Sequence, residues 1–121
     1  MIRGLDTTFL VQVEVLEHTG HKAARALLHQ LLATGDTLGI APQVLFEFIH
    51  IVTDNRRFAE PLSLEQAVGR AESWWNAKEV VHVLPNDESA SLSLEWLRRH
   101  RLRRKRLLDT QLAATYYYAT D

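Results

Sequence analysis

An α/β fold with a short parallel sheet flanked by helices is predicted by two patterns in this 121-residue chain. Short apolar stretches at residues 1–5, 37–41 and 79–84 read as strands, and longer segments of helical period separate them. Strands that alternate with helices favour a parallel sheet covered by helices. No repeat, low-complexity tract or linker interrupts the alternation, so residues 1–121 read as one domain.

Each element has its own signal. Residues 1–5 form an opening strand that ends at Asp6, and Asp6, Thr7 and Thr8 then supply helix-start chemistry. The segment 8–17 is expected to be a helix with Val11, Val15 and Leu16 on one side, broken by Thr19 and Gly20. From 21 to 34, Ala24, Leu27, Leu28, Leu31 and Leu32 recur at spacings of three and four, an amphipathic helix closed at Gly35. Residues 37–41 are the second strand, and Pro42 suits the first turn of the next helix. After a polar turn over 54–61, Ser63 and Gln66 read as a capping box opening a helix through Ala67, Val68, Ala71, Trp74 and Trp75. Residues 79–84 are a third strand stopped by Pro85, and Asn86 caps a helix expected to turn Ala90, Leu94 and Leu97 inward. The last helix, 107–119, is expected to place Asp109, Leu112, Ala113 and Tyr116 on one face.

Composition narrows the class. An apolar fraction of 46% with 24% charged residues is that of an ordinary globular protein. No window approaches a membrane span and the N-terminus lacks a signal-peptide profile, so a cytoplasmic setting without membrane contact is expected. With no cysteine there is no disulfide, thiolate zinc site or cysteine nucleophile. The net charge of −1 conceals a sharp asymmetry. Seven of the fourteen Lys and Arg residues fall between Arg98 and Arg106, leaving seven bases against fifteen acids elsewhere, a balance of −8. An acidic body with one dense basic run suits a phosphate-rich partner. The run reads either as a solvated loop or as a track for backbone phosphates.

The helix that follows Pro42 holds a puzzle. Val44, Leu45, Phe46, Phe48, Ile49, Ile51 and Val52 cover nearly all its azimuths, yet it carries Glu47. An unpaired buried carboxylate is costly, so Glu47 requires a cation, a hydrogen-bonding shell or a rim of solvent. Asp6 stands at a strand's carboxyl end, where α/β folds gather their chemistry, and Asp109 shares a face with apolar residues. Taken singly, Asp6 and Asp109 read first as helix caps. Three carboxylates aimed at one point would repel one another unless a cation sat between them. Oxygen-only ligands indicate Mg²⁺ or Mn²⁺, an ion suited to phosphodiester hydrolysis. Thr8 is placed either to hold Asp6 or a water from behind, or simply to cap its helix.

The segments LDTTFLV, VLFEFIHIVT and HRLRRKRLLDTQLAAT resemble the PIN domain, and more narrowly the VapC-type toxins of toxin–antitoxin pairs, from residue 4 to about residue 116. In that family an acid follows the first strand, a glutamate lies in the third helix and an aspartate opens a late helix, matching Asp6, Glu47 and Asp109. The resemblance implies a three-layer sandwich and a Mg²⁺-dependent endoribonuclease acting on RNA, usually inhibited by a cognate antitoxin and often a homodimer. Arg101, Arg103, Arg104 and Lys105 would then hold the RNA backbone. The family usually adds a fourth acidic or amide residue after a further strand, in a T-x-N or T-x-D segment. This sequence stops at Asp121 before such a strand, so either a truncated sequence or a naturally shortened, impaired copy without the last strands is expected. Asp121 is no substitute, because twelve helical residues would put it about 18 Å from Asp109. The alternative is a catalytically impaired module of the same fold that binds RNA or protein.

Other features read as structural. The six histidines offer only a lone H-x-x-H at His18 and His21, without a third ligand. Trp74, Trp75, Trp96 and residues 116–118 fall at helical positions and suit a core or dimer interface. There is no P-loop, G-x-G-x-x-G or G-x-S-x-G segment. A phospho-accepting receiver domain is disfavoured, since the early acid stands alone.

Overall fold

The computed structural model describes residues 1–119. Three strands, β1 (Ile2–Gly4), β2 (Thr37–Ile40) and β3 (Val80–His82), form one parallel sheet in the order β1-β2-β3. Six helices complete it: α1 (Thr7–Glu14), α2 (His21–Ala33), α3 (Pro42–Val52), α4 (Leu64–Trp75), α5 (Asp87–Arg99) and α6 (Leu107–Ala119). A 3-10 turn, Arg104–Arg106, leads into α6. The expected α/β class and parallel sheet are present. Asp121 lies outside the described residues. Among the described residues no helix is long and apolar enough to cross a membrane.

Local chemistry explains the boundaries. Ser63 and Gln66 form the expected capping box on α4, and Asn86 with Ser89 forms another on α5. Pro42 stands in the first turn of α3, where its missing N–H costs nothing. Gly35, at φ 77°, ends α2 in the left-handed conformation that glycine adopts freely. Helix α1 is shorter than expected: Val15 turns extended after Glu14, which leaves Leu16 in solvent instead of on the helix's apolar side.

Helix α3 is the centre of the core. Val44, Phe48 and Val52, spaced by four, are fully buried against Leu10, Leu38 and Ile40, with Ala67 and Ala71 of α4 closing the cluster. Burying side chains of this size contributes about 2 kcal/mol each, so α3 is the element most firmly held. Its opposite side carries Phe46, which is exposed.

On α5 the inward column is Ser89 and Ser93, not Ala90 and Leu94, which are exposed. Both hydroxyls are satisfied on the helix itself, Ser89 donating to the Asn86 carbonyl and Ser93 to that of Ser89 at 2.7 Å. Self-satisfied serines can be buried at little cost and let α5 lie close to α6. On α6, Thr110, Ala114 and Thr115 are the buried residues, and Ala113 faces outward.

Two chain reversals set up the site. Leu5 leaves β1 with its N–H on the Gly39 carbonyl at 2.9 Å, and α1 begins two residues later. Ala41 leaves β2 directly into α3. The carboxyl edge of the sheet therefore delivers Asp6 and the start of the Glu47 helix side by side.

Candidate active site

Asp6 caps α1: its Oδ1 accepts from the Phe9 N–H at 2.8 Å, and the residue is exposed. That fulfils the capping role and leaves the carboxylate open to solvent. Glu47, half-buried in α3, has the hydrogen-bonding shell its position demands. Its Oε2 accepts from the Thr7 hydroxyl at 3.0 Å, and its Oε1 accepts from the Gln43 amide at 2.8 Å. The same Gln43 nitrogen donates to the Leu108 carbonyl at 3.1 Å, so one side chain ties Glu47 to the first turn of α6.

Asp109 sits inside that first turn and is not a cap. It is exposed and meets Arg106 loosely, at 3.9 Å. A negative side chain there complements the helix dipole. Glu47 and Asp109 line one cleft of about 330 Å³ together with His50, Ile51, Arg57, Arg104, Lys105 and Leu108. Arg104 and Lys105 of the expected basic track thus reach the acids, whereas Arg101 and Arg103 are exposed on the approach to α6 and are not part of the cleft wall. Thr8 is exposed and faces an adjoining hollow with Val11, His18, Ile51, Arg57 and Phe58. Ile51 and Arg57 border both hollows, which therefore lie next to each other.

Among the described residues no group of three or more His, Cys, Asp or Glu side chains is arranged to grip a metal ion. Asp6 is linked to Glu47 through its neighbour Thr7, and Glu47 shares with Asp109 a cleft that Asp6 does not line. Their chemistry is all oxygen and hard.

Tyr116 of α6 reaches the same edge of the sheet. Its hydroxyl donates to the Leu5 carbonyl at 2.5 Å and accepts from the Ala41 N–H at 3.1 Å. Burial pushes its pKa up to about 12, opposed by the Ala41 N–H and reinforced by the negative charge of Asp6.

Comparison with known proteins decides the family. The family model described as PIN domain matches residues 5–119. The chain belongs to the PIN domain family. As a PIN domain it shares its fold with the crystal structure of VapC20 from Mycobacterium tuberculosis, described as a sarcin–ricin loop cleaving toxin. The TM-score is 0.71 at 20% sequence identity, covering 98% of this chain and 83% of the other. No curated protein matches the sequence. Sequence reasoning missed four residues of this PIN domain's site: Thr7, Gln43, Arg57 and Tyr116. Gln43 alone left a signal, four residues before Glu47 on the same helical face.

Proposed function

We propose that this PIN domain is a divalent-metal-dependent endoribonuclease of the VapC toxin type, acting in the cytoplasm and inhibited by a cognate antitoxin. One observation carries the reading: Glu47 and Asp109 share a cleft with Arg57, Arg104 and Lys105. Carboxylates and cations on one wall are what hydrolysis of a polyanion needs, the first to hold a metal and the second to hold phosphate.

Asp6, Glu47 and Asp109 would hold Mg²⁺ or Mn²⁺, since an all-oxygen set suits a hard divalent cation. Such an ion supplies an activated water and neutralises charge on the phosphate. The chain's own residues do the rest. Thr7 and Gln43 hold both oxygens of Glu47, so the carboxylate faces the cleft in one orientation. Arg104 and Lys105 bind the backbone from the α6 side, and Arg57 does so from the turn after α3. Arg101 and Arg103 extend the track beyond the cleft, giving affinity without sequence choice. Thr8 borders the groove beside Asp6, in reach of the RNA's path.

The rival reading, a module that binds RNA without cutting it, draws on the Arg106 contact to Asp109. A cleavage assay with and without chelator separates the two. The nuclease reading expects RNA cleavage that chelator abolishes and that Asp6→Asn lowers by about 100-fold or more. Asp6→Asn cleaving as fast as the parent, or RNA held intact equally with and without metal, would overturn it.

A further inference from the structure

We propose that Tyr116 is a positioning residue for the carboxylate site: it pins the carboxyl ends of β1 and β2 to α6, so that Asp6, Glu47 and Asp109 keep a fixed mutual geometry. The inference rests on the nuclease reading above and deepens it.

Three observations meet at this side chain. The hydroxyl bridges two backbone groups, the Leu5 carbonyl and the Ala41 N–H, which belong to neighbouring strand ends. Leu5 immediately precedes Asp6, and Ala41 immediately precedes the helix that bears Glu47. Tyr116 itself lies two helical turns beyond Asp109 on the same helix. One phenol thus touches the roots of all three segments that carry an acid.

The seat for its ring is built into the sheet. A Cβ on Gly4 would lie 2.7 Å from Cδ2 of Tyr116, 2.8 Å from Cγ and 3.0 Å from Cε2, so glycine at this strand position leaves the room the ring occupies. The sequence therefore carries a matched pair, a glycine and a tyrosine 112 residues apart, serving one contact.

The device answers a problem set by the fold. The strands are only three or four residues long, and β1 and β2 each end two residues before a functional segment, Asp6 and the Glu47 helix. Few ladder hydrogen bonds hold the carboxyl edge, and a carboxylate displaced by about 1 Å loses most of its value in a reaction that depends on placement. Tyr116 adds one donor and one acceptor at that edge. It is not part of the wall of the cleft that holds Glu47 and Asp109.

Two variants test this, Tyr116→Phe, which keeps the ring and removes the bridge, and Gly4→Ala, which keeps the hydroxyl and lifts the ring from its seat. Mn²⁺ affinity is read directly by paramagnetic resonance, cleavage as kcat and KM, and hydrogen exchange at the Ala41 amide. Tyr116→Phe is expected to weaken Mn²⁺ binding and lower kcat by about ten-fold each, with KM for RNA unchanged and faster exchange at Ala41. Gly4→Ala is expected to weaken Mn²⁺ binding in the same way, and it carries the test if Tyr116→Phe does not fold. A folded variant with wild-type Mn²⁺ affinity and kcat, whatever its melting temperature, would show that the bridge is structural only and would overturn the proposal. A wild-type chain that neither binds Mn²⁺ nor cuts RNA overturns the nuclease reading, and this inference with it.

Discussion

Replacing Thr7 with valine removes one hydroxyl from behind Glu47 and changes the shape of the side chain very little. Thr7 is buried, and its Oγ1 stands 3.0 Å from Oε2 of Glu47. A hydrogen bond to a charged group contributes about 1.5–3 kcal/mol. Here the value falls toward the lower end, because Glu47 is half-buried and keeps the Gln43 amide on its other oxygen. Both residues are β-branched, so helix propensity hardly differs. Thr7→Val is therefore expected to cost about 1.5 kcal/mol in urea unfolding, seen as a lower midpoint at unchanged slope. Freed on one side, the carboxylate samples more rotamers, and cleavage is expected to fall by about 10- to 100-fold. A double-mutant cycle with Glu47→Gln isolates the pair, with an expected coupling of about 1 kcal/mol. Strict additivity of the two substitutions, or Thr7→Val with parental stability and cleavage, would refute the role given to Thr7.

Two further outcomes follow from backbone strain and from titration. Arg101 has φ 50°, a left-handed conformation that costs a non-glycine residue about 1 kcal/mol, so Arg101→Gly is expected to raise stability by about that amount in thermal unfolding. The same change is expected to weaken RNA binding and make its salt dependence shallower in a fluorescence titration; stronger or unchanged binding would remove Arg101 from the phosphate track. Tyr116 has a folded pKa of about 12 against an ordinary 10.0. The folded chain thus holds this proton after the unfolded chain has lost it. Stability is independent of this group below pH 10 and declines between about pH 10 and 12, by about 2 kcal/mol after allowance for partial solvent exposure. Tyr116→Phe should abolish that part of the alkaline slope in urea titrations at stepped pH.

The parts of the fold legible in the sequence are those decided within one turn of chain. The Ser63–Gln66 box, Asn86, Pro42 and Gly35 each act on residues at most four positions away, and each stands where local chemistry puts it. The inward face of α5 was not legible, because the apolar residues Ala90 and Leu94 lose to a serine column that satisfies its own hydroxyls and packs more closely on α6. The acids could be singled out, Glu47 above all, because a carboxylate on an apolar helix announces a partner. The partners themselves were out of reach of local reasoning. Thr7 meets Glu47 across 40 positions, Gln43 meets Leu108 across 65, and Tyr116 meets Leu5 across 111. No periodicity encodes such contacts; they arise from the parallel sheet, which gathers the ends of distant strands at one edge.

Charge placement gives the groove a direction. Away from residues 98–106 the chain carries a balance of −8, so a polyanion is repelled from most of the surface and drawn to one strip. At the end of the strip the sign is mixed: Glu47 and Asp109 face Arg57, Arg104 and Lys105. Arg57 is partly committed, since its Nε lies 3.4 Å from Asp54. The Arg56 N–H, together with the charges of Arg56 and Arg57, holds the Asp54 carboxyl below its ordinary pKa against the opposing effect of desolvation. That leaves Arg104 and Lys105, on the turn leading into the Asp109 helix, as the cations best placed to take a phosphate. On the proposed nuclease reading, a backbone held there would lie beside Glu47 and Asp109, which share the cleft with the same two cations. Because these charges are exposed and act over about 8–10 Å at physiological salt, the proposed nuclease would use the strip for capture and the hydrogen-bonded shell of Glu47 for the step that follows.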